Sequence, residues 1–187
     1  MWRRCVSVLA IDPGGKVGWA IIDVYRGEGP APDDVRTHPC LGGYGITFRG
    51  IGTWRLSDHT IIGDLREALT AVYETHETIP LCVIEHFTLT RTGTFSPTAA
   101  ADTLSIFGMV KAMIVSDFRG MRLDTRQTPA EAKGLVSLEV LREVGAYRRG
   151  DKRDDNALMA ARHAVLLTAR LAKGTGDLSY NELWGWS

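Results

Sequence analysis

Two spacings of apolar residues succeed one another along this chain. Residues 5–11 (CVSVLAI) are almost uniformly apolar, as a strand covered on both faces requires, and residues 17–24 (VGWAIIDV) repeat the pattern after the turn DPGGK. Together they predict a hairpin. Residues 25–50 carry RGEGPAPDD and CLGGYG, too rich in glycine and proline for a regular element, and predict a long surface loop ahead of a short third strand at 52–56. The period then changes. Ile61, Ile62, Leu65, Ala68, Leu69, Val72 and Tyr73 recur at three and four and predict a helix capped by Ser57 or Asp58. LCVIE (81–85) returns to a continuous apolar run and predicts a fourth strand, and MRLDT (121–125) a fifth. Between them Ser96-Pro97 supplies an N-cap and a first-turn proline for a helix reaching about Phe118. TPAE (128–131) is a capping box opening a helix that breaks around Gly134, resumes at Ser137 and stops near Gly145. DDNALMAARHAVLLTARL gives the last helix, and the tail GTGDLSYNELWGWS predicts irregular structure.

An opening meander followed by alternating helices and strands predicts an α/β fold: a mixed five-stranded sheet, its first three strands antiparallel and the later ones parallel, with helices on both faces. A length of 187 residues and 44% hydrophobic composition suit one domain over 1–187, with a core at about 5–173. The formal net charge is zero, so no global field draws the chain to a polyanion, and such a partner must be met by local clusters. Three widely spaced cysteines, Cys5, Cys40 and Cys82, form no CxxC, which argues against a disulfide framework and a zinc site and fits a reducing cytoplasm. Asp12 interrupts the N-terminal apolar run too early for a signal peptide, and Lys111 divides the most apolar later stretch, so neither secretion nor a membrane is expected.

The chemistry lies in the carboxylates. Asp12 closes the first apolar run and Glu85 the fourth, and parallel neighbouring strands would set the two side by side at the sheet edge where open α/β sheets bind ligands. Like charges at that distance repel by several kcal/mol at low dielectric, a cost that a proton or a divalent cation removes. Asp151, Asp154 and Asp155 precede or open the last helix at spacings of three and four and can bring a third acid. An all-oxygen set without recurring Cys or His suits magnesium or manganese, and two such ions about 4 Å apart are suited to phosphodiester hydrolysis. Simpler uses exist for each residue. Asp12 suits a turn, Glu85 a strand-end ion pair, and the last acids complement a helix dipole. Arg148, Arg149, Lys152 and Arg153 lie beside the acid cluster in the sequence, where they would meet phosphates flanking a scissile bond. Lys16 and Lys133 are weaker cases of the same kind. His86 and His163 carry no assigned role, and Trp184 and Trp186 suit base stacking, a partner surface or the core equally.

IDPGGKVGWAIID, VIEHF, TPAEAK and DKRDDNALMAARHA together resemble the RuvC-type Holliday-junction resolvases, in particular their bacteriophage relatives, within the RNase H-like nuclease superfamily. The resemblance spans roughly residues 5–170. It implies a homodimeric, structure-selective DNA endonuclease acting on four-way or other branched DNA, with two Mg2+ ions per site for which Mn2+ would substitute. Asp12 and Glu85 match the family's first two acids, and Lys16 and Lys133 gain a DNA role from it. For the last helix the family has two acids three apart, the second directly before an Ala-Leu or Ala-Ala. Here Asn156 stands before Ala157, so Asp154 and Asp155 are favoured as metal ligands and Asp151 is held in reserve. A dimer surface is expected on the apolar helix from Thr98 to Phe118. The alternatives are a non-catalytic DNA-structure-binding or packaging protein of the same fold, and an RNase H-like nuclease acting on another nucleic acid, such as an RNA–DNA hybrid.

Overall fold

In the computed structural model, residues 1–75, 78–86, 97–148 and 154–173 are described. Strands β1 (Arg3–Asp12), β2 (Lys16–Arg26), β3 (Arg36–Thr37), β4 (Tyr44–Arg55), β5 (Ile79–Ile84) and β6 (Arg122–Asp124) form one sheet in the order β3-β4-β2-β1-β5-β6. The β1–β2, β2–β4 and β3–β4 pairs are antiparallel, whereas β1–β5 and β5–β6 are parallel. The mixed sheet is therefore as predicted, with six strands rather than five. The addition is β3, a two-residue edge strand lying in the stretch whose glycines and prolines predict only loop.

Strand alternation divides the core in two. Val6, Val8 and Ala10 of β1 with Leu81 and Val83 of β5 face one side, where α3 (Pro129–Leu135), α4 (Leu138–Glu143) and α5 (Asp155–Lys173) cover them. Leu9 and Ile11 with Cys82 and Ile84 face the other, beneath α1 (Ile61–Tyr73) and α2 (Pro97–Ser116). Burial on both faces is why β1 and β5 read as continuous apolar runs. Two caps follow the sequence: Glu131 N–H donates to Thr128 Oγ1 at 3.3 Å and Val140 N–H to Ser137 Oγ at 3.2 Å, each satisfying an otherwise unpaired first-turn donor. The first helix differs: α1 starts at Ile61 behind Thr60, whose side chain makes no capping hydrogen bond, instead of being capped by Ser57 or Asp58.

The third predicted strand, 52–56, is in fact β4, a 12-residue strand starting at Tyr44. Its glycines are packing spaces rather than turns. A Cβ on Gly50 or Gly52 would stand 2.9–3.1 Å from indole atoms of Trp19, which lies across both and stacks on Trp54 with ring centroids 5.2 Å apart. Gly108 inside α2 is the converse. Nothing lies within 4 Å of where its Cβ would be, so it faces outward instead of easing contact within the chain.

Candidate active site

Asp12 continues the alternation of Val6, Val8 and Ala10, and Glu85 that of Leu81 and Val83, so both carboxylates emerge on the face beneath α5. The parallel register pairs Ile11 with Ile84, and Glu85 N–H donates to Ile11 O at 3.1 Å, which holds the two acids level. Burial pushes the Asp12 carboxyl up to about 8. A hydrogen bond and like-charge repulsion from Glu85 add to the rise, and His163 and Lys133 oppose it. Burial also raises Glu85, against its hydrogen bond from Asp12 and the charge of Lys133. At neutral pH the pair thus keeps one proton between its two carboxylates, which is what two such groups in one small space do without a cation.

Behind Glu85 stands a residue to which the sequence reading gave no role. His163, fully buried on α5, places Nε2 3.1 Å from Glu85 Oε2 and Nδ1 3.1 Å from Gln127 Oε1. Burial pushes its pKa down to about 4, although the charge of Asp12 pulls the other way, so the imidazole is neutral. Gln127 is also buried, its Nε2 has no hydrogen-bond partner, and its backbone carbonyl accepts from His86 N–H at 2.7 Å. The signal for His163 was a polar residue within the buried stripe of α5. Gln127, one place before the Thr128 cap, carried none.

The α5 start reaches the pair through Gly18, the residue opposite Asp12 in the β1–β2 register. A Cβ there would run into the backbone carbonyl of Asn156, so glycine is what allows the first turn of α5 to rest on β2. The structure does not bring the expected third acid onto Asp12 and Glu85. Asp154 accepts a hydrogen bond from Asn156 N–H at 3.0 Å and pairs with Lys16, while Asp155 is exposed at the first position of α5. Among the described residues no three Asp, Glu, His or Cys side chains converge on a point that would hold a metal ion. Lys16, expected to meet DNA, is accordingly the partner of Asp154, and the Asn156 side chain donates to the Lys16 carbonyl.

Lys133 stands exposed on α3, and its charge acts on both carboxylates, so it borders the site. Arg148 is exposed after α4. Arg149, Asp151, Lys152 and Arg153, together with Trp184 and Trp186, lie outside the described residues. The sequence reading also passed over Asp102 of α2, whose Oδ2 lies 2.8 Å from where a Cβ of Gly15 would be, beside the DPGGK turn.

No protein-family model matches the sequence, and no curated protein matches it either. Solved structures do match. Thermus thermophilus RuvC in complex with a Holliday-junction substrate aligns with a TM-score of 0.59 at 12% identity, over 91% of this chain and 97% of that one. A second T. thermophilus RuvC structure aligns at 0.57 and 15% identity, over 91% and 98%. Ydc2, the yeast mitochondrial Holliday-junction resolvase, aligns at 0.52 and 10% identity, over 98% and 82%. With its mixed sheet, its helix-covered faces and its two acids at the ends of β1 and β5, this chain has the fold of the RuvC-like Holliday-junction resolvases.

Proposed function

We propose that the protein is a metal-dependent endonuclease that hydrolyses phosphodiester bonds in four-way or other branched DNA. The observation that carries this reading is the half-buried Asp12–Glu85 pair, side by side at the ends of two parallel strands in a RuvC-like fold and holding a proton that a divalent ion would displace. The donor set fits Mg2+ or Mn2+, because hard cations favour carboxylate oxygens and the like charges lose their repulsion when one is bound. Asp12 and Glu85 would hold the ions, with an acid from the start of α5, Asp154 or Asp155, completing the set. Such ions, when bound, supply an activated water and neutralise charge on the departing oxygen. The protein itself sets the two carboxylates level and places His163 behind Glu85.

Lys16, Lys133 and Arg148, with Arg149, Lys152 and Arg153, would contact backbone phosphates. The net charge of zero puts recognition on this local cluster and on junction shape instead of a global field. A homodimer is proposed through the outward face of α2, where exposed Leu104 and Val115 flank the open surface at Gly108. Two sites related by a two-fold axis would then make paired cuts. One observation favours a second reading, a DNA-structure-binding protein without catalysis: Asp154 is engaged by Lys16 and, among the described residues, no third acid meets the pair.

The test incubates labelled four-way junction, linear duplex and RNA–DNA hybrid with the wild-type chain and Asp12→Asn, in magnesium or manganese. Junction-selective cutting abolished by Asp12→Asn is expected. Equal cutting of all three substrates removes junction selectivity, and binding without cutting favours the second reading.

A further inference from the structure

The two ring nitrogens of His163 both face oxygens, Glu85 Oε2 on one side and Gln127 Oε1 on the other, each at 3.1 Å. A neutral imidazole has one N–H, so it cannot donate to both. Meanwhile the Gln127 amide nitrogen, fully buried, has no partner. A half-turn of that amide about its last bond exchanges its two atoms and resolves the conflict at the ring: Nε2 of Gln127 then donates to Nδ1 of His163, which leaves Nε2–H of His163 to donate to Glu85, and the amide oxygen takes the position without a partner. We infer that Gln127 and His163 are positioning residues that fix one oxygen of Glu85 and leave the other free to share an ion with Asp12. The inference rests on the metal-site reading above.

The arrangement is rigid for reasons that lie outside the pair. His163 is enclosed in the buried face of α5, and Gln127 is anchored by its own carbonyl to His86 N–H, the residue after Glu85. Glu85 is therefore held through its backbone by β1 and Gln127, and through its side chain by His163. An outer hydrogen bond of this kind selects one carboxylate rotamer before any ion arrives, and losing it typically costs 10-fold to 100-fold in metal affinity. Neither residue touches a phosphate or a reacting atom in this scheme.

The experiment joins a spectroscopic measurement to a binding one, both without DNA. Long-range 1H–15N spectra of histidine-labelled protein, with the His163 signals assigned by their loss in His163→Gln, should show the Nε2–H tautomer with and without Mg2+. An Nδ1–H tautomer overturns the assignment. Mn2+ titration calorimetry should then give affinity lowered about 10-fold to 100-fold in His163→Leu, partly restored in His163→Gln, which returns a donor to Glu85. Gln127→Met keeps the side-chain length but removes the amide. It should lower affinity several-fold and shift His163 toward Nδ1–H, so it carries the test should His163→Leu not fold. Wild-type Mn2+ affinity in Gln127→Met overturns the proposal. Wild-type protein that binds Mn2+ yet cuts no junction overturns the nuclease reading alone. Protein that binds no Mn2+ overturns both that reading and the service of His163 to an ion, while the tautomer still decides the hydrogen-bond assignment.

Discussion

Asp12 binds its proton far more tightly in the folded chain than an isolated aspartate does, with a pKa of about 8 against 3.8. Between those values the folded chain keeps a proton that the unfolded chain has released, so this contribution to stability is complete below about pH 4 and is lost as pH rises through about 8. His163 acts in the opposite sense lower down. Its folded value of about 4 lies below the ordinary 6.5, so stability falls as pH drops below 6.5 and the unfolded chain takes up a proton. The range from pH 6.5 to 8 reports on the Asp12–Glu85 pair and not on His163. There the metal-free protein should lose at most about 1.4 kcal/mol per pH unit in urea unfolding, less where solvent screens the pair, and excess magnesium should flatten the slope. A metal-free stability that climbs over that range would contradict a carboxylate pair that shares a proton. At pH 8, Asp12→Asn should be as stable as wild type or more so, by up to about 1 kcal/mol, while cutting falls by at least about 1,000-fold in a junction assay. Asp12 and Glu85 were legible in the sequence because each closes an apolar strand. His163 and Gln127 were not, because their roles exist only once α5 has docked and set a ring between two segments distant along the chain.

Elements meet this site through glycine. Gly18→Ala would drive a methyl group into the Asn156 backbone and lift the first turn of α5 from β2. The expected loss is about 1–3 kcal/mol by denaturant titration, with Mn2+ affinity falling alongside because α5 carries His163. Gly52→Ala instead presses on Trp19, on the opposite face. It should cost a similar amount, read out as altered tryptophan fluorescence, and leave ion binding intact. These two glycines also mark where the sequence was hard to read. The helices and the two central strands follow largely from period, but the first part of β4, ahead of residue 52, reads as loop because glycine signals a turn by composition and a close approach only by context. The start of α5 was legible as an acid-rich N-terminus, yet which acid faces what depended on Lys16, which comes from the other end of the chain.

For the whole molecule, the outer side of α2 is an apolar surface left exposed among the described residues. Pro97–Ser116 is the one helix among the described residues apolar and long enough to cross a membrane by composition, yet Ile106, Val110, Met113 and Ile114 pack on the sheet while Leu104 and Val115 remain exposed. If that face joins two copies, Leu104→Glu with Val115→Glu should convert a dimer to a monomer in light scattering, with fold stability changed by less than about 0.5 kcal/mol. Paired incisions across a junction should then become independent nicks. Last comes the consequence of a core closed by its final helix. Because α5 provides much of one face of the sheet and the histidine behind Glu85, a growing chain must be synthesised beyond residue 173 before either carboxylate acquires its surroundings. Until then the ribosome holds a sheet with one face only partly covered, and Glu85 has water where His163 will stand.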